Sequence, residues 1–345
     1  MSTTESTPEK IGFLKRKNIE FTFHRYGIEA LGAMALGLFA SLLVGTILKT
    51  LGDNIGVAWL SEFGGIAMSM MGPAIAVAVA FGLKSPPLVL FAATVVGTAA
   101  VKFGGGPAGC YVAAVIAAEF GKAVSKETKV DILVTPIVTI IVGIAVAKLI
   151  GPPIGSFMVW VGSLIMWATE LQPVPMGMLV AVLMGLALTA PISSAAIGVM
   201  LELSGLAAGA ATVGCCCQMV GFAVASYREN KIGGLVAQGI GTSMLQVPNI
   251  LRNPLILVPP TLASAILGPL ATTAFQMHNS PIGSGMGTSG LVGQIGTLTV
   301  MGGSAVVFMK IALLHFVLPI ILTLIFSEYM RKKNWIKFGD QKLDI

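Results

Sequence analysis

Apolar residues fall along this chain in blocks of about twenty, each closed off by glycine and proline turns or by charges. A helix of that length crosses the hydrocarbon of a bilayer. Ten such spans are expected, near residues 27–50, 66–83, 88–102, 107–121, 132–150, 156–170, 176–200, 205–226, 254–276 and 304–327. Two further stretches, 232–250 and 281–301, are apolar but studded with glycine, Ser/Thr and Gln, and read as interfacial or re-entrant segments. The expected fold is all-α and polytopic, with a cytoplasmic N-terminal segment over 1–25, a transmembrane transport domain over 26–327 and a cytoplasmic tail over 328–345.

The passage that fits a span least is HNSPIGSGMGTSG, residues 278–290. Between two long apolar runs it sets Gly283, Gly285, Gly287 and Gly290 among His278, Asn279, Ser280, Ser284, Thr288 and Ser289. Breaking a helix in hydrocarbon releases N–H and C=O groups at a high cost per group, so broken backbone survives only against protein or a watery cavity. That makes 278–290 a candidate site for a polar solute, with amides and hydroxyls as its donors and acceptors. Small residues also let helices approach closely, which is the reading for the scattered glycines of 27–45.

Other polar residues inside the apolar blocks carry two readings each. In SMLQVPNILRNP, Pro248 and Pro254 force extended or broken backbone and put Gln246, Asn249 and Asn253 on irregular structure, as ligand contacts or as loop-satisfying hydrogen bonders. Lys102, beside the glycines 104–106, either meets an anionic solute or snorkels to the headgroups. Ser193 and Ser194 follow Pro191 in TAPISSAAI, a third interruption, where they face solute or bond back to their helix. Glu202, in MLELSG, is a proton-coupling carboxylate if buried and a plain loop acid if exposed. Together with His278 it is the candidate coupling group.

Composition agrees with the block pattern. The chain is 55% hydrophobic and 10% charged, against roughly 25% charge in soluble domains, and its mean hydropathy is +0.89. The first 25 residues are too polar for a cleavable signal peptide. All but four of the 21 basic residues, the exceptions being Lys49, Lys102, Lys148 and Lys310, fall on one side of the ten-span arrangement. Basic loops stay in the cytoplasm, so both termini and the loop at 122–131 are expected inside and the loop at 51–65 outside. The net charge of +6 requires no nucleic acid, because the same residues set topology and touch anionic membrane lipid. Cys215, Cys216 and Cys217, consecutive in an apolar run, read as small packing residues rather than as a disulfide or metal framework. With no metal cluster, no nucleophile paired to a base and no phosphate-binding loop in the sequence, neither an enzyme nor a cofactor is expected.

A weak internal repeat is present. LKSPPL at 83–88 resembles LRNPLI at 251–256, and each is followed by an apolar segment and a glycine cluster, at 104–109 and 283–287. Duplicated halves with interrupted segments at matching positions mark a transporter binding site. The same tetrad is also a common loop-to-helix boundary, and the ten-span count gives both copies one orientation.

The stretch from Ala237 through HNSPIGSGMGTSGLVGQIGTL, together with TAPISSAAIGVMLELSGLAAGAATVG, resembles the IIC-like membrane proteins of Gram-positive bacteria grouped with the phosphotransferase system (EIIC, type 2), among them the PfoR-type regulatory proteins. The similarity runs over about residues 20 to 330. It implies a sugar-permease-like fold, a homodimer and a solute site in a transport domain with re-entrant hairpins; either separate IIA and IIB proteins act with this one, or it transports without phosphorylation. The chain departs from a complete phosphotransferase permease in two ways: it shows no domain with a phosphorylated Cys or His, and no Gly-Ile-Thr-Glu stretch like that of the glucose-type permeases. Two functions follow. One is a transporter of a small polar solute, sugar-like or anionic, working by alternating access with 104–109, 242–253 and 278–290 around its site, and able to move solute in proteoliposomes on its own. The other is a membrane sensor or regulator built on a permease fold.

Overall fold

The computed structural model describes residues 12–169, 171–192 and 194–343. Its regular structure is helical, and the one strand-like feature among the described residues is an isolated antiparallel bridge between Gly205 and Asn279. A first bundle holds α1 (His24–Asp53), α2 (Ala58–Ser69), α3 (Met71–Gly82), α4 (Pro87–Lys102), α5 (Gly106–Val124) and α6 (Asp131–Thr169). The second part contains α7 (Pro173–Thr189), α8 (Ser194–Met200), α9 (Gly205–Ala225), α10 (Tyr227–Val236), α11 (Val247–Arg252), α12 (Pro254–Thr272), α13 (Pro281–Ser284), α14 (Val292–Met301) and α15 (Ala305–Lys332). Helices α4 and α7 both begin on proline, whose missing N–H costs nothing in a first turn.

Small residues set the helix spacing in both parts. A Cβ added to Gly97 on α4 would lie 2.0 Å from the Gly72 carbonyl on α3, and one on Gly64 of α2 would lie 2.4 Å from the Lys49 nitrogen on α1. Backbone therefore meets backbone, as expected where lipid supplies no hydrophobic drive and close packing must hold helices together. Around these crossings Met34, Ile75, Val79, Val89, Val96 and Ala117 form one buried core. In the second part α9 is the axis. It is apolar all round, and 89% of its most apolar stretch is buried, as such a helix must be.

The contacts of α9 fix the direction of its neighbours. Gly214 lies against the Ala181 carbonyl, while Gln218 lies against Gly185 and within 3.4 Å of Thr189 Oγ1. Helices α7 and α9 thus run in the same direction. Helix α12 runs against both: Gln218 donates to Thr261 (3.0 Å), Ser264 donates to the Gly214 carbonyl (3.3 Å), and Thr272 donates to the Pro173 carbonyl (2.7 Å). Two consecutive parallel helices need a return path, and residues 190–204 supply it with only the seven-residue α8.

The span pattern differs from the sequence expectation of ten. Among the described residues, six helices are long and apolar enough to cross a membrane, or seven if the α2–α3 pair, bent by 50°, is one span; α4 and α7 are shorter apolar helices. The expected spans 132–150 and 156–170 are one 39-residue helix, α6, with Pro136, Pro152 and Pro153 inside it. At about 58 Å it exceeds the ~30 Å of hydrocarbon. Its Gly151 lies against the Phe103 carbonyl and its Gly155 against that of Gly104, so α6 runs straight past the α4–α5 turn. The expected span 176–200 stops at Thr189 and resumes at Ser194.

The described ends of the chain share one face. Lys122 Nζ donates to the carbonyls of Asn18 (2.9 Å) and Leu83 (3.3 Å). A cavity of about 350 Å³ is bordered by His24 and Glu29 from the start of α1 and by Arg252, Lys342 and Leu343 from the other end of the sequence. Leu343 also joins the first-bundle core.

Close packing makes a signed prediction. Gly97→Ala drives a methyl group into backbone and should destabilise the purified protein by about 1–3 kcal/mol, whereas Gly65→Ala, which meets open space within 4 Å, should leave stability unchanged or raise it slightly. Melting temperatures of the two variants in detergent check this, and equal values would contradict the packing account.

Candidate functional site

Beyond α12 the chain turns back alongside α9. At Met277 its carbonyl lies against Gly209 near the start of α9. It then follows α9 inward: Asn279 Nδ2 donates to Thr212 Oγ1 (2.6 Å), Gly287 rests on the backbone of Cys215 and Cys216, and Thr288 reaches Met219. Ten residues of helix, from 209 to 219, put that depth at about 15 Å. The chain reverses over 287–291, where Gly287, Gly290 and Leu291 all have φ between 53° and 59°, a region glycine enters freely and leucine does not. Helix α14 then climbs back, with Gly293 against the Gly287 carbonyl, Gly296 against Asn279, and Met301 Sδ accepting from the His278 N–H (3.3 Å).

Asn279 holds together the two arms of this hairpin, labelled outer only because it enters at the end of α9 opposite the face shared by the described ends. Its Nδ2 also lies 2.9 Å from the Gly293 carbonyl and 3.1 Å from Thr297 Oγ1, and its Oδ1 accepts from the Ser280 N–H at 2.7 Å. The Ser280 hydroxyl caps α13 by accepting from the Gly283 N–H (3.3 Å). Ser284 donates to the Pro281 carbonyl (2.7 Å), and Ser194, on the 190–204 return, donates to the Gly285 carbonyl (2.6 Å).

A second hairpin comes from the opposite end of α9. After Ala225, Gln238 Nε2 donates to Ser226 Oγ (2.8 Å), and Gly239 packs against Ala223. At its tip the Ser243 hydroxyl lies 2.8 Å from Thr189 Oγ1, and the chain returns through α11. The two tips touch: Thr288 Oγ1 donates to the Gly239 carbonyl. First-bundle residues close the site, Ile47 against Gly290 and Phe39 against Gly241. The three interruptions at 190–204, 232–250 and 281–301 therefore converge on α9.

Beside the outer tip, three buried polar atoms find no hydrogen-bond partner in the protein: Ser289 Oγ, Gln294 Oε1 and His315 Nε2. Gln294 Nε2 lies 3.0 Å from His315 Nδ1, so with the amide donating, the ring proton sits on Nε2. Left bare, such groups each cost a desolvation penalty of about 1–3 kcal/mol. The Ser289 hydroxyl and Gln294 Oε1 can accept and His315 Nε2–H can donate, a set of neutral groups that suits a polyhydroxylated molecule. Sequence reasoning named Ser289 but missed Gln294 and His315. The signal was a single amide in GLVGQIG and a single imidazole in KIALLHFV, each a polar residue alone in an apolar run.

Of the residues picked from sequence, Ser194, Asn279, Ser284, Gly285, Gly287, Thr288 and Ser289 lie in this cluster, with His278 half-buried at its mouth. Ser193 lies outside the described residues. Gln246, Asn249 and Asn253 are turned to another task. They hold the C-terminal segment: Gln246 donates to the Gln341 carbonyl (3.0 Å), Asn249 to that of Lys342 (2.8 Å), and Asn253 to Asp340 (2.7 Å). Lys102 is exposed at the end of α4, and the glycine cluster beside it is a helix-to-helix turn packed on α6. The first-half cluster at 104–109 is thus no counterpart of the outer hairpin. Glu202 is exposed on the loop before α9, without the burial a coupling carboxylate needs.

Helices packed through glycine, with two hairpins that enter from opposite ends of α9 and meet beside uncharged buried polar groups, form an interrupted-helix arrangement of the kind that membrane transporters use. Residues 28–343 match the sequence model of the family described as "Phosphotransferase system, EIIC", and the chain belongs to that family. No curated protein and no solved structure matches it.

The cluster separates holding from binding. Asn279→Ala strips the hydrogen bonds that join the hairpin arms and should cost at least about 1–3 kcal/mol, read as a lower melting temperature. Ser289→Ala removes a hydroxyl that no protein group uses, so its melting temperature should match the parent. A fall as large as that of Asn279→Ala would show that Ser289 is structural.

Proposed function

We propose that this protein is the membrane component that carries a small carbohydrate across the cell membrane, binding it where the tips of the two hairpins meet and releasing it by alternating access. The observation that carries this reading is the unpartnered trio of Ser289, Gln294 and His315 beside the outer tip, whose donor and acceptor set matches hydroxyl groups. Neutral groups at the tips favour a neutral sugar over an anionic solute. Movement between the second part and the first bundle would open the site, because the tips rest on Ile47 and Phe39 of α1.

On this reading the face shared by the described ends, where Arg16, Lys84, Lys126, Arg252 and Arg331 gather, is cytoplasmic by the rule that retains basic loops. Separate IIA and IIB proteins, the partners with which EIIC components work, would approach from that side. The family supports a permease, and no observation favours the sensor alternative. Translocation itself is assigned to this chain alone, with phosphorylation acting on sugar already delivered.

Two measurements test the proposal. Thermal stabilisation across a sugar panel should identify a ligand whose affinity drops at least about fivefold, roughly 1 kcal/mol, in Ser289→Ala; unchanged affinity would move the site elsewhere. Proteoliposomes containing only this protein should exchange that sugar across the membrane. Movement that strictly requires phosphoenolpyruvate and the soluble proteins would defeat transport by the chain alone.

A further inference from the structure

A second polar cavity, of about 410 Å³, lies on the face shared by the described ends, away from the hairpin tips, and is lined by Arg16, Lys17, Lys84, Lys122, Lys126 and Glu127 among others. Its charges are only partly spent. Lys122 pairs with Glu119 (2.8 Å), and Arg16 (2.9 Å) and Lys17 share the single carboxylate of Glu127. Hydrogen bonding from Lys17 and the neighbouring positive charges hold the Glu127 carboxyl below its usual range, so it is ionised and counts as one negative charge against two positive. Lys84 and Lys126 have no ion pair within 4 Å among the described residues; Asp131, whose Oδ1 accepts from the Lys126 N–H (2.7 Å), offsets part of the Lys126 charge and leaves the cavity with more cations than carboxylates.

The backbone adds an independent observation. Asn18, Lys84 and Lys126 have φ of 55°, 54° and 60°, and all three line this cavity. Lys84 closes α3, with the Ser85 N–H on the Ala80 carbonyl (3.0 Å), and Lys126 is the third residue of a tight turn in which the Glu127 N–H reaches the Val124 carbonyl (3.2 Å); glycine is the usual choice at both positions. Lysine there strains the backbone where glycine would not. The sequence keeps a long cation where glycine would fold more easily, twice, on one cavity.

Immediately beside it is an apolar groove of about 340 Å³ lined by Leu14, Ile19, Phe21, Val115, Ile116 and Phe120. The two share elements: Lys17 and Asn18 lead into Ile19, and Lys122 is bonded to Glu119 at the groove edge. Phe21 and Phe120 are 74% and 53% exposed, large rings at the level where basic residues mark the interface.

We infer that the basic cavity and the apolar groove together form a binding site for an anionic phospholipid, its phosphate between Lys84 and Lys126 and an acyl chain along Phe21 and Phe120. Cation surplus selects the phosphate, and the groove selects a lipid over a free phosphate ester. The site is independent of the sugar site.

The test uses the purified full chain in uncharged detergent, with melting temperature read against phosphatidylglycerol, phosphatidylethanolamine of the same acyl chains, or inorganic phosphate. Phosphatidylglycerol should raise the melting temperature and the other two should not. In the double variant Lys84→Gly/Lys126→Gly, relief of the left-handed strain should hold or raise the starting melting temperature, while the phosphatidylglycerol response falls by at least half. Lys84→Gln/Lys126→Gln, which keeps side-chain length and removes charge, should lose the response as well and serves if the glycine variant fails to fold. A full response in the folded double variant, or an equal rise with phosphatidylethanolamine, overturns the site. An equal rise with inorganic phosphate assigns the cavity to a free anion and overturns the lipid.

Discussion

Backbone released from a helix in hydrocarbon must find a partner inside the protein, and the second part of this molecule is arranged around that requirement. Two hairpins and one broken return expose N–H and C=O groups at depth, and each is answered by a small set of side chains. Asn279 answers for the hairpin over 277–301, Gln238 and Thr242 for the one over 227–253, and Ser194 ties the return to the first of them. The tips then answer each other through Thr288 and the Gly239 carbonyl. Irregular backbone of this kind is tolerated only where protein or a water-lined cavity receives it, which is why all three breaks converge on one buried helix instead of being spread around the bundle.

The same constraint explains the glycines. Helices α7, α9 and α12 touch through Gly177, Gly185, Gly214 and Gly268, where an added Cβ would lie within 2.8 Å of a facing carbonyl. That contact lets α9 be surrounded on all sides, and a surrounded helix is the rigid wall against which the hairpins fold. Parallel α7 and α9 in turn oblige 190–204 to travel back without a full helix, bringing Ser194 to Gly285. Site and packing are thus one arrangement, and a side chain added at Gly285, 2.3 Å from the Ser194 carbonyl, would disturb both.

Much of this was legible in the sequence. The apolar blocks announced a polytopic helical protein, and the run 278–290 announced a break, because glycine with hydroxyls inside hydrocarbon has few other readings. What failed did so for physical reasons. Pro152 and Pro153 suggested a turn, but nothing in α6 repays a break in the helix there. Gln246, Asn249 and Asn253 stayed open between ligand contact and loop bonding, because sequence alone does not show that the segment 335–343 folds back to take their hydrogen bonds. Gln294 and His315 were passed over as lone polar residues, since their pairing joins positions 21 apart on different helices. Lys102 and the glycines at 104–109 matched the second-half pattern in letters only; three-dimensionally they are a tight turn.

The central claim is that the segments 277–301 and 227–253 are hairpins entering from opposite faces. Single cysteines at Gln276 and Gly303 flank the first, and at Lys231 and Arg252 the second; all four positions are exposed, while the native Cys110, Cys215, Cys216 and Cys217 are buried. Labelling with a membrane-impermeant thiol reagent in vesicles of known sidedness tests the claim. The account predicts that positions 276 and 303 react from one face only and positions 231 and 252 from the other only. Reaction of 276 and 303 from opposite faces would make 277–301 an ordinary span and contradict it.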